Sequence, residues 1–474
     1  MTQPSSLPQA AQVSQTPRRP TSKYLTGSLW WHVVQSAVAG SIGLLALFAS
    51  DFVDIYFISM LGEKFLVAAV GYAATVTFFS TSLVIGLAIG TGVLVGKNLG
   101  AGNVLEASRI ATSSVVIAFI FCTGLSVLLA WLAPRLISAL GAHEETAHLA
   151  VYFLRLLLIS LPMMAVAVVG SAVLRAQGLP SKAAIVTLTG AIINVIMDPV
   201  LMFGLHMGFA GAAVATVLSQ VGMMVIALRT IRHSELHFAP FIGAHRWASL
   251  RAQVFQHIKP LSIFAVPAIL ANLATPVGNA YLTRTMSAFG NDAVAGFAII
   301  GRLTPIAFAF VFAMSGAIGP IVAQNAGGKR FDRVYQALLA SYQLSAIYTV
   351  IVAFLLWLLL PVILRMFPVG ANGNTLITLF CGPLALFWMF NAWLFCANAG
   401  FNNLSKPLYS TILNWTRQTV FVIPFTIVAT HYWQSAGVLI GPAIGGVILG
   451  TVAMVLSLRL PLKQEALTVK TVLD

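Results

Sequence analysis

Carboxylates are the side chains here that could do chemistry, because they are few and three of them are out of place. Only 12 Asp and Glu occur in 474 residues. Glu63, Glu144 and Glu145 fall in one set of loops, and Glu106, Glu235, Asp332, Glu465 and Asp474 in another; Asp292 opens an apolar run. Asp51, Asp54 and Asp198 stand inside long apolar segments. A carboxylate at membrane depth costs about 2.5–3.5 kcal/mol on insertion scales, so such a residue normally faces a protein interior and serves a function. Asp198 closes the run Asn194-Val-Ile-Met-Asp198-Pro199. The i, i+4 spacing puts Asn194 and Asp198 on one helix face. Pro199 has no amide hydrogen and crowds the carbonyl of Val195, which frees a backbone oxygen nearby. These hard oxygens suit a proton or a small hard cation such as sodium. The plainer alternative is a Pro-capped turn among lipid headgroups.

Asp51 and Asp54 lie at i and i+3 in Ser50-Asp51-Phe-Val-Asp54. Two carboxylates meeting away from water repel, and one bound cation or proton relieves that repulsion. The plainer role for either is a hydrogen bond to a neighbouring helix. No carboxylate stands inside an apolar segment of the second half, so ion coupling is expected in the first half alone.

The elements that must hold these residues are membrane helices. Hydrophobic residues make up 59% of the chain and charged ones 8%, against roughly 25% charged in a soluble domain. Lipid must therefore cover much of the surface. The apolar runs are far longer than the roughly 10-residue alternating strands of a barrel. The expected fold is an all-α integral membrane protein of twelve transmembrane helices. Their expected ranges are 30–60, 67–96, 108–133, 148–175, 183–204, 209–231, 259–288, 292–324, 335–364, 375–399, 407–430 and 436–459. The net charge of +14 does not indicate nucleic acid, because the cations sit in loops rather than on one aromatic-rich patch. Cys122, Cys381 and Cys396 lie in apolar segments without CxxC or metal spacing, which argues against a disulfide framework. His-rich and HExxH patterns are absent, so a membrane-embedded enzyme is not expected.

Lys and Arg set the orientation. Lys64, Arg135 and Arg365 fall in loops on one side and nineteen Lys and Arg on the other, leaving Arg155, Arg284, Arg302 and Arg417 within or near spans. Both termini are expected in the cytoplasm and the chain in the inner (plasma) membrane, multi-pass. The first 28 residues lack the order of a signal peptide and read as a disordered tail. Trp30 and Trp31 read as an interface anchor.

The halves are related. Gly96-Lys-Asn-Leu-Gly-Ala-Gly102 follows the second span, and Ala323-Gln-Asn-Ala-Gly-Gly-Lys329 follows the eighth, so that Asn98 stands to Asn325 as Gly100 to Gly327. Leu61-Gly62 pairs likewise with Phe289-Gly290, and Ser181-Lys182 with Ser405-Lys406. A duplicated unit with an even number of spans gives two parallel, pseudo-symmetric six-helix lobes about an axis along the membrane normal, a transporter architecture. The expected organisation is a cytoplasmic tail 1–28, an N-lobe 29–231, a cytoplasmic linker 232–258, a C-lobe 259–460 and a cytoplasmic tail 461–474.

With these features together, the chain resembles the multidrug and toxic compound extrusion family over roughly residues 30 to 460. The carriers are Phe52-Val-Asp54 with Leu61-Gly62, Lys97-Asn-Leu-Gly-Ala-Gly102, Asn194-Val-Ile-Met-Asp198-Pro199, Gly211-Ala-Ala-Val-Ala-Thr216 and Gln324-Asn-Ala-Gly327. Within it, the chain is similar to the DNA-damage-inducible branch, because the seventh span, with Val266-Pro267-Ala-Ile-Leu-Ala-Asn272, holds no acid. The resemblance implies a cation-coupling site at Asp54, Asn194, Asp198 and Thr216, with proton or sodium as the coupling ion and Tyr152 close by; Asp51 is a further candidate. Family members often bend the first span at a proline. This span has none, and Gly40 and Gly43 are the available hinge.

The expected function is a cation-coupled antiporter that exports amphiphilic, often cationic, drugs or metabolites by alternating access. It would need no cofactor and work as a monomer in the bilayer. Candidates for a substrate cavity are Asn272, Asn279, Phe308, Met314, Trp388 and Met389, since aromatic and Met surfaces adapt to varied ligands; lipid-facing packing explains such stretches more often. The rival is a flippase for a lipid-linked precursor, which would gather Arg155, Arg284, Arg302 and Arg417 around a pyrophosphate.

Overall fold

The computed structural model describes residues 22–61, 64–142, 144–236, 244–367 and 369–473. They form sixteen α-helices joined by short turns. The first half holds α1 (Leu29–Met60), α2 (Lys64–Gly100), α3 (Val104–Ala139), α4 (Glu144–Leu158), α5 (Leu161–Ala176), α6 (Pro180–Pro199) and α7 (Phe209–Arg232). The second holds α8 (Ala244–Ser287), α9 (Asn291–Ala307), α10 (Ala309–Gly327), α11 (Phe331–Met366), α12 (Ala371–Leu379), α13 (Ala385–Asn403), α14 (Pro407–Thr416), α15 (Val422–Trp433) and α16 (Gly437–Leu473). There is no strand among the described residues.

Sixteen helices make twelve spans because several spans are broken. Ten segments are long and apolar enough to cross a bilayer, and α4 with α5, bent by 47°, forms an eleventh. One of the ten, 407–466, is itself a hairpin. A Cβ on Gly437 would meet Ala429, one on Gly441 would meet Phe425 and Thr426, and one on Gly445 would meet Phe421. The register of α16 against α15 thus runs backward, and the chain reverses at Gln434 (φ 49°). The eighth span is α9 plus α10, divided at Phe308, and the hydroxyl of Tyr348 donates to the freed carbonyl of Ala307 at 2.7 Å. The tenth and eleventh carry π-helical turns at Phe380–Leu384 and Arg417–Phe421, and the fifth carries one at Val200–Gly204, directly after Pro199. A proline that cannot donate its amide makes this the expected place for the ladder to slip.

The two lobes meet through α1 and α2 on one side and α8 and α10 on the other. The repeat explains the geometry. A Cβ on Gly100 would sit 1.9 Å from the carbonyl oxygen of Gln324, and one on Gly327 would sit 2.0 Å from that of Lys97. Each lobe presents the same glycine to the same position of the other, as a pseudo-two-fold axis requires. Only a residue without a side chain permits this approach. The contact continues along α2, where Gly96 meets Ala323, Gly90 meets Ala265 and Gly86 meets Ile269. The lobes are therefore closed together at the Lys- and Arg-rich face. Toward the other face, Arg302 of α9 lies over the Phe52 ring of α1 at 5.8 Å.

Polar ties reinforce the closed face. The Lys97 ammonium donates to the Ser405 hydroxyl and lies over the Phe264 ring. His257 on α8 bonds Glu106 (3.0 Å) and Ser113 (2.9 Å) on α3. The segment before α1 straps across both lobes. Ser22 donates to Leu99 O, Lys23 to Gly178 O, and Tyr24 N–H to the side-chain oxygen of Gln324, whose amide in turn donates to Ala176 O at 2.6 Å. Arg333 holds the carbonyls of Tyr24 and Gly27.

Several expectations need correction. The tail expected over 1–28 is packed from Ser22 onward, with Tyr24 only 1% exposed, because buried backbone groups of the strap find partners in both lobes; residues 1–21 lie outside the described part. Within the linker expected over 232–258, residues 244–258 are helical, and residues 461–473 of the expected C-terminal tail continue α16. Hydropathy marks where lipid ends, whereas the backbone hydrogen-bond ladder continues into water. α1 is continuous through Gly40 and Gly43. Gly40 lets Ala313 of α10 approach (3.1 Å to its Cβ position), and Gly43 does the same for Thr187 of α6. Gly62, one member of the Leu61-Gly62 landmark, lies outside the described residues.

Candidate functional site

The carboxylates singled out by their placement meet between α1 and α6. The two helices pack along their length, and Asn194 and Asp198 turn the same face of α6 to α1, as i, i+4 spacing demands. Asp198 is fully buried and Asn194 nearly so, at 6% exposure. The carboxyl of Asp54 lies within hydrogen-bonding reach of both Asp198 and Asn194. The Asn194 amide donates weakly to Asp198 Oδ1 at 3.5 Å. One oxygen of each acid, Asp54 Oδ1 and Asp198 Oδ2, is buried without a hydrogen-bond partner.

Ser50 completes the arrangement, and the sequence reading passed it over. Its hydroxyl donates to Asn194 Oδ1, and it is 2% exposed. The available signal was its spacing. Ser50 and Asp54 are i and i+4 on α1, so they present one face to the Asn194/Asp198 face of α6. With its oxygen engaged by Ser50, the amide of Asn194 points its N–H toward the acids.

The other expected residues make no hydrogen bond to this cluster among the described residues, although the Asp51 charge acts on Asp54 from one turn away. Thr216 on α7 donates its hydroxyl to Ala212 O in its own helix at 3.1 Å, and no hydrogen bond joins it to either acid among the described residues. Asp51 is exposed on α1, and Tyr152 on α4 is 48% exposed.

The expected cavity residues divide. Phe308 is fully buried in the C-lobe core, where it stacks on Trp388 at 4.7 Å, and Met314 is fully buried in a second cluster shared with Tyr24 of the strap and Val33 and Ala37 of α1; both face packed neighbours rather than an opening. Asn272 returns its amide to Ala268 O at 2.8 Å, and Asn279 is exposed on α8. Trp388 and Met389 are partly exposed on α13. The four arginines considered as a pyrophosphate cradle are not gathered by shared partners. Arg155 donates to Ala130 O, Arg302 lies on Phe52, Arg417 donates to Asn391, and Arg284 is exposed on α8.

The comparison with known proteins agrees with this architecture. The family model MatE matches residues 41–200 and 267–428, once in each lobe. The chain belongs to the MatE family. It is 28% identical over 452 residues to a FAD transporter of Shewanella oneidensis, covering 91% of this chain and 94% of the relative. It is 24% identical to the multidrug export protein MepA of Staphylococcus haemolyticus, over 60% of this chain and 62% of that protein. Among solved structures, a transporter of the MOP superfamily from Pyrococcus furiosus superposes with a TM-score of 0.86 at 21% identity, covering 94% of this chain and 99% of that one. A Vibrio cholerae MATE transporter superposes at 0.85 and 21% identity, covering 92% and 97%. This MatE protein is a multi-pass membrane transporter of small molecules and not an enzyme.

Proposed function

We propose that this MatE protein is a cation-coupled antiporter that exports amphiphilic small molecules, with Asp54 and Asp198 as its coupling pair. The observation that carries the reading is the placement of these two acids within reach of each other, each with one buried, unpartnered oxygen. Two anions cannot share such a pocket without a compensating positive charge. A proton or sodium ion entering from outside supplies it, allows α1, α6 and α7 to repack, and releases substrate outward. The donor set favours the proton. The Asn194 oxygen is taken by Ser50 and its N–H faces the acids, which serves a proton-sharing carboxyl pair better than a bare cation seeking oxygens. Thr216 contributes through the packing of α7 against α6.

The Lys- and Arg-rich face is then the cytoplasmic one, with both termini inside and the chain in the inner membrane as a monomer. The relatives widen the candidate substrates from cationic drugs to a flavin dinucleotide, since one transports FAD and another is named a multidrug exporter. The absence of an acid in the seventh span supports placing it with the DNA-damage-inducible branch.

The test is transport in proteoliposomes under an imposed proton or sodium gradient. The proton gradient is expected to drive export, and Asp54→Asn and Asp198→Asn are each expected to abolish it while the purified proteins keep their helical content. Gradient-driven export by Asp54→Asn would refute the coupling role.

A further inference from the structure

The C-lobe holds a buried cation that the ion-coupling reading leaves unused. Arg417 lies ten residues into the eleventh span from Pro407, which at 1.5 Å per residue is about 15 Å deep, near the middle of a core about 30 Å thick. Its Nη1 donates to Asn391 Oδ1 at 2.7 Å, and its Nε is buried with no partner. Salt bridges among the described residues join Glu106 to Arg109 and to His257, and none reaches Arg417. Arg417 is partly buried as a residue, while its Nε is shut away from solvent. A charged group at this depth ordinarily pairs with another charge or marks a substrate path.

The surroundings are built around this group. Arg417 opens the π-helical turn Arg417–Phe421, a local widening frequently found at functional sites. The side chain of the next residue, Gln418, fills the space that Gly278 leaves on α8; its oxygen lies 2.0 Å from where a Cβ would stand. Asn391 reaches to within 3.9 Å of the same position at Gly446 on α16. Spans seven, ten, eleven and twelve thus wall the site. Trp388, three residues before Asn391, shares its face of α13 and stacks on Phe308. Counted from the paired Ser181-Lys182 and Ser405-Lys406, Gln418 occupies the position of Asn194. Arg417 thus corresponds to Ile193, five residues before Asp198, and the two lobes carry opposite charges on equivalent spans: an acid in the N-lobe, an arginine in the C-lobe.

We propose that Arg417, oriented by Asn391, is the binding site for a phosphoryl or other anionic group of the transported molecule, beside a flat aromatic portion. The inference rests on the transport reading and narrows its substrate class to amphiphiles that carry an anion. A guanidinium presents a fixed fork of donors that matches phosphate geometry. The unpartnered Nε and the donors beyond the Nη1 bond to Asn391 are those left for it.

The test uses purified full-length protein in neutral detergent, with riboflavin 5′-phosphate and uncharged riboflavin as probes and flavin fluorescence as the readout. Wild type is expected to bind the phosphate about tenfold more tightly, as a charge-assisted hydrogen-bonded pair implies. Arg417→Gln is expected to erase that preference while still binding riboflavin, which also shows that it is folded; Arg417→Lys and Asn391→Ala should keep part of it. Competition by inorganic phosphate assigns the site to soluble substrates, and competition by phosphatidylglycerol alone assigns the same anion chemistry to lipid headgroups. Full preference retained in Arg417→Gln, or no preference in wild type, overturns the proposal. Asp54→Asn should keep the binding preference, so a failure of ion coupling and a failure of the anion site give different results.

Discussion

Replacing Gly100 by alanine tests the closed interface between the lobes. The new Cβ would stand 1.9 Å from Gln324 O and 2.6 Å from Gln324 C, both backbone atoms that no rotamer change can move away. Relieving the overlap requires α2 and α10 to separate by about 1 Å, and overpacking of this kind costs about 1–3 kcal/mol. The cost falls only on the conformation in which the two helices touch. The population closed at the basic face should drop about 5- to 150-fold relative to the open one, at about 1.4 kcal/mol per factor of ten. Gly327→Ala makes the mirror-image collision, 2.0 Å from Lys97 O. Since either substitution separates the same two helices, the double variant should cost less than the two singles added together. Spin labels on exposed Leu105 and Leu408 report the lobe separation, because the native cysteines Cys122, Cys381 and Cys396 are buried and will not label. A longer distance population is expected in Gly100→Ala. A distance distribution identical to that of the unsubstituted protein, or full additivity in the double variant, would show that the reciprocal glycine contact does not set the closed state.

Two further substitutions follow from the geometry. Ser50→Ala removes the hydroxyl that engages Asn194 Oδ1 and leaves a buried acceptor unmet, worth about 1–3 kcal/mol; the half-saturating concentration of the driving ion should rise by about tenfold without loss of maximal transport, and an unchanged value would remove Ser50 from the site. Tyr24→Ala empties a fully buried position of the strap; at about 3 kcal/mol for a large-to-small change, thermal unfolding of the purified protein should move down by several degrees, and an unshifted midpoint would mean that the strap does not hold the lobes.

The sequence by itself determined the membrane class, the duplication and the identity of the acid pair. It could do so because each is a matter of composition or spacing. Lipid excludes charge, so an intramembrane Asp54 or Asp198 stands out by its cost, and the i, i+4 step from Asn194 to Asp198 fixes a face whatever the packing. The paired glycines were visible as a repeat, yet what they were for was not. Only tertiary structure showed that Gly100 and Gly327 serve one reciprocal contact, and that Gly40 and Gly43 admit neighbouring side chains. Ser50 was hidden because a serine in an apolar helix usually bonds its own backbone, and nothing local says that Asn194 stands opposite. The break at Phe308, the strap from Ser22 and the site of Arg417 share one cause. Each is decided by partners remote in sequence, whose hydrogen bonds and close approaches exist only once two lobes have been laid against each other.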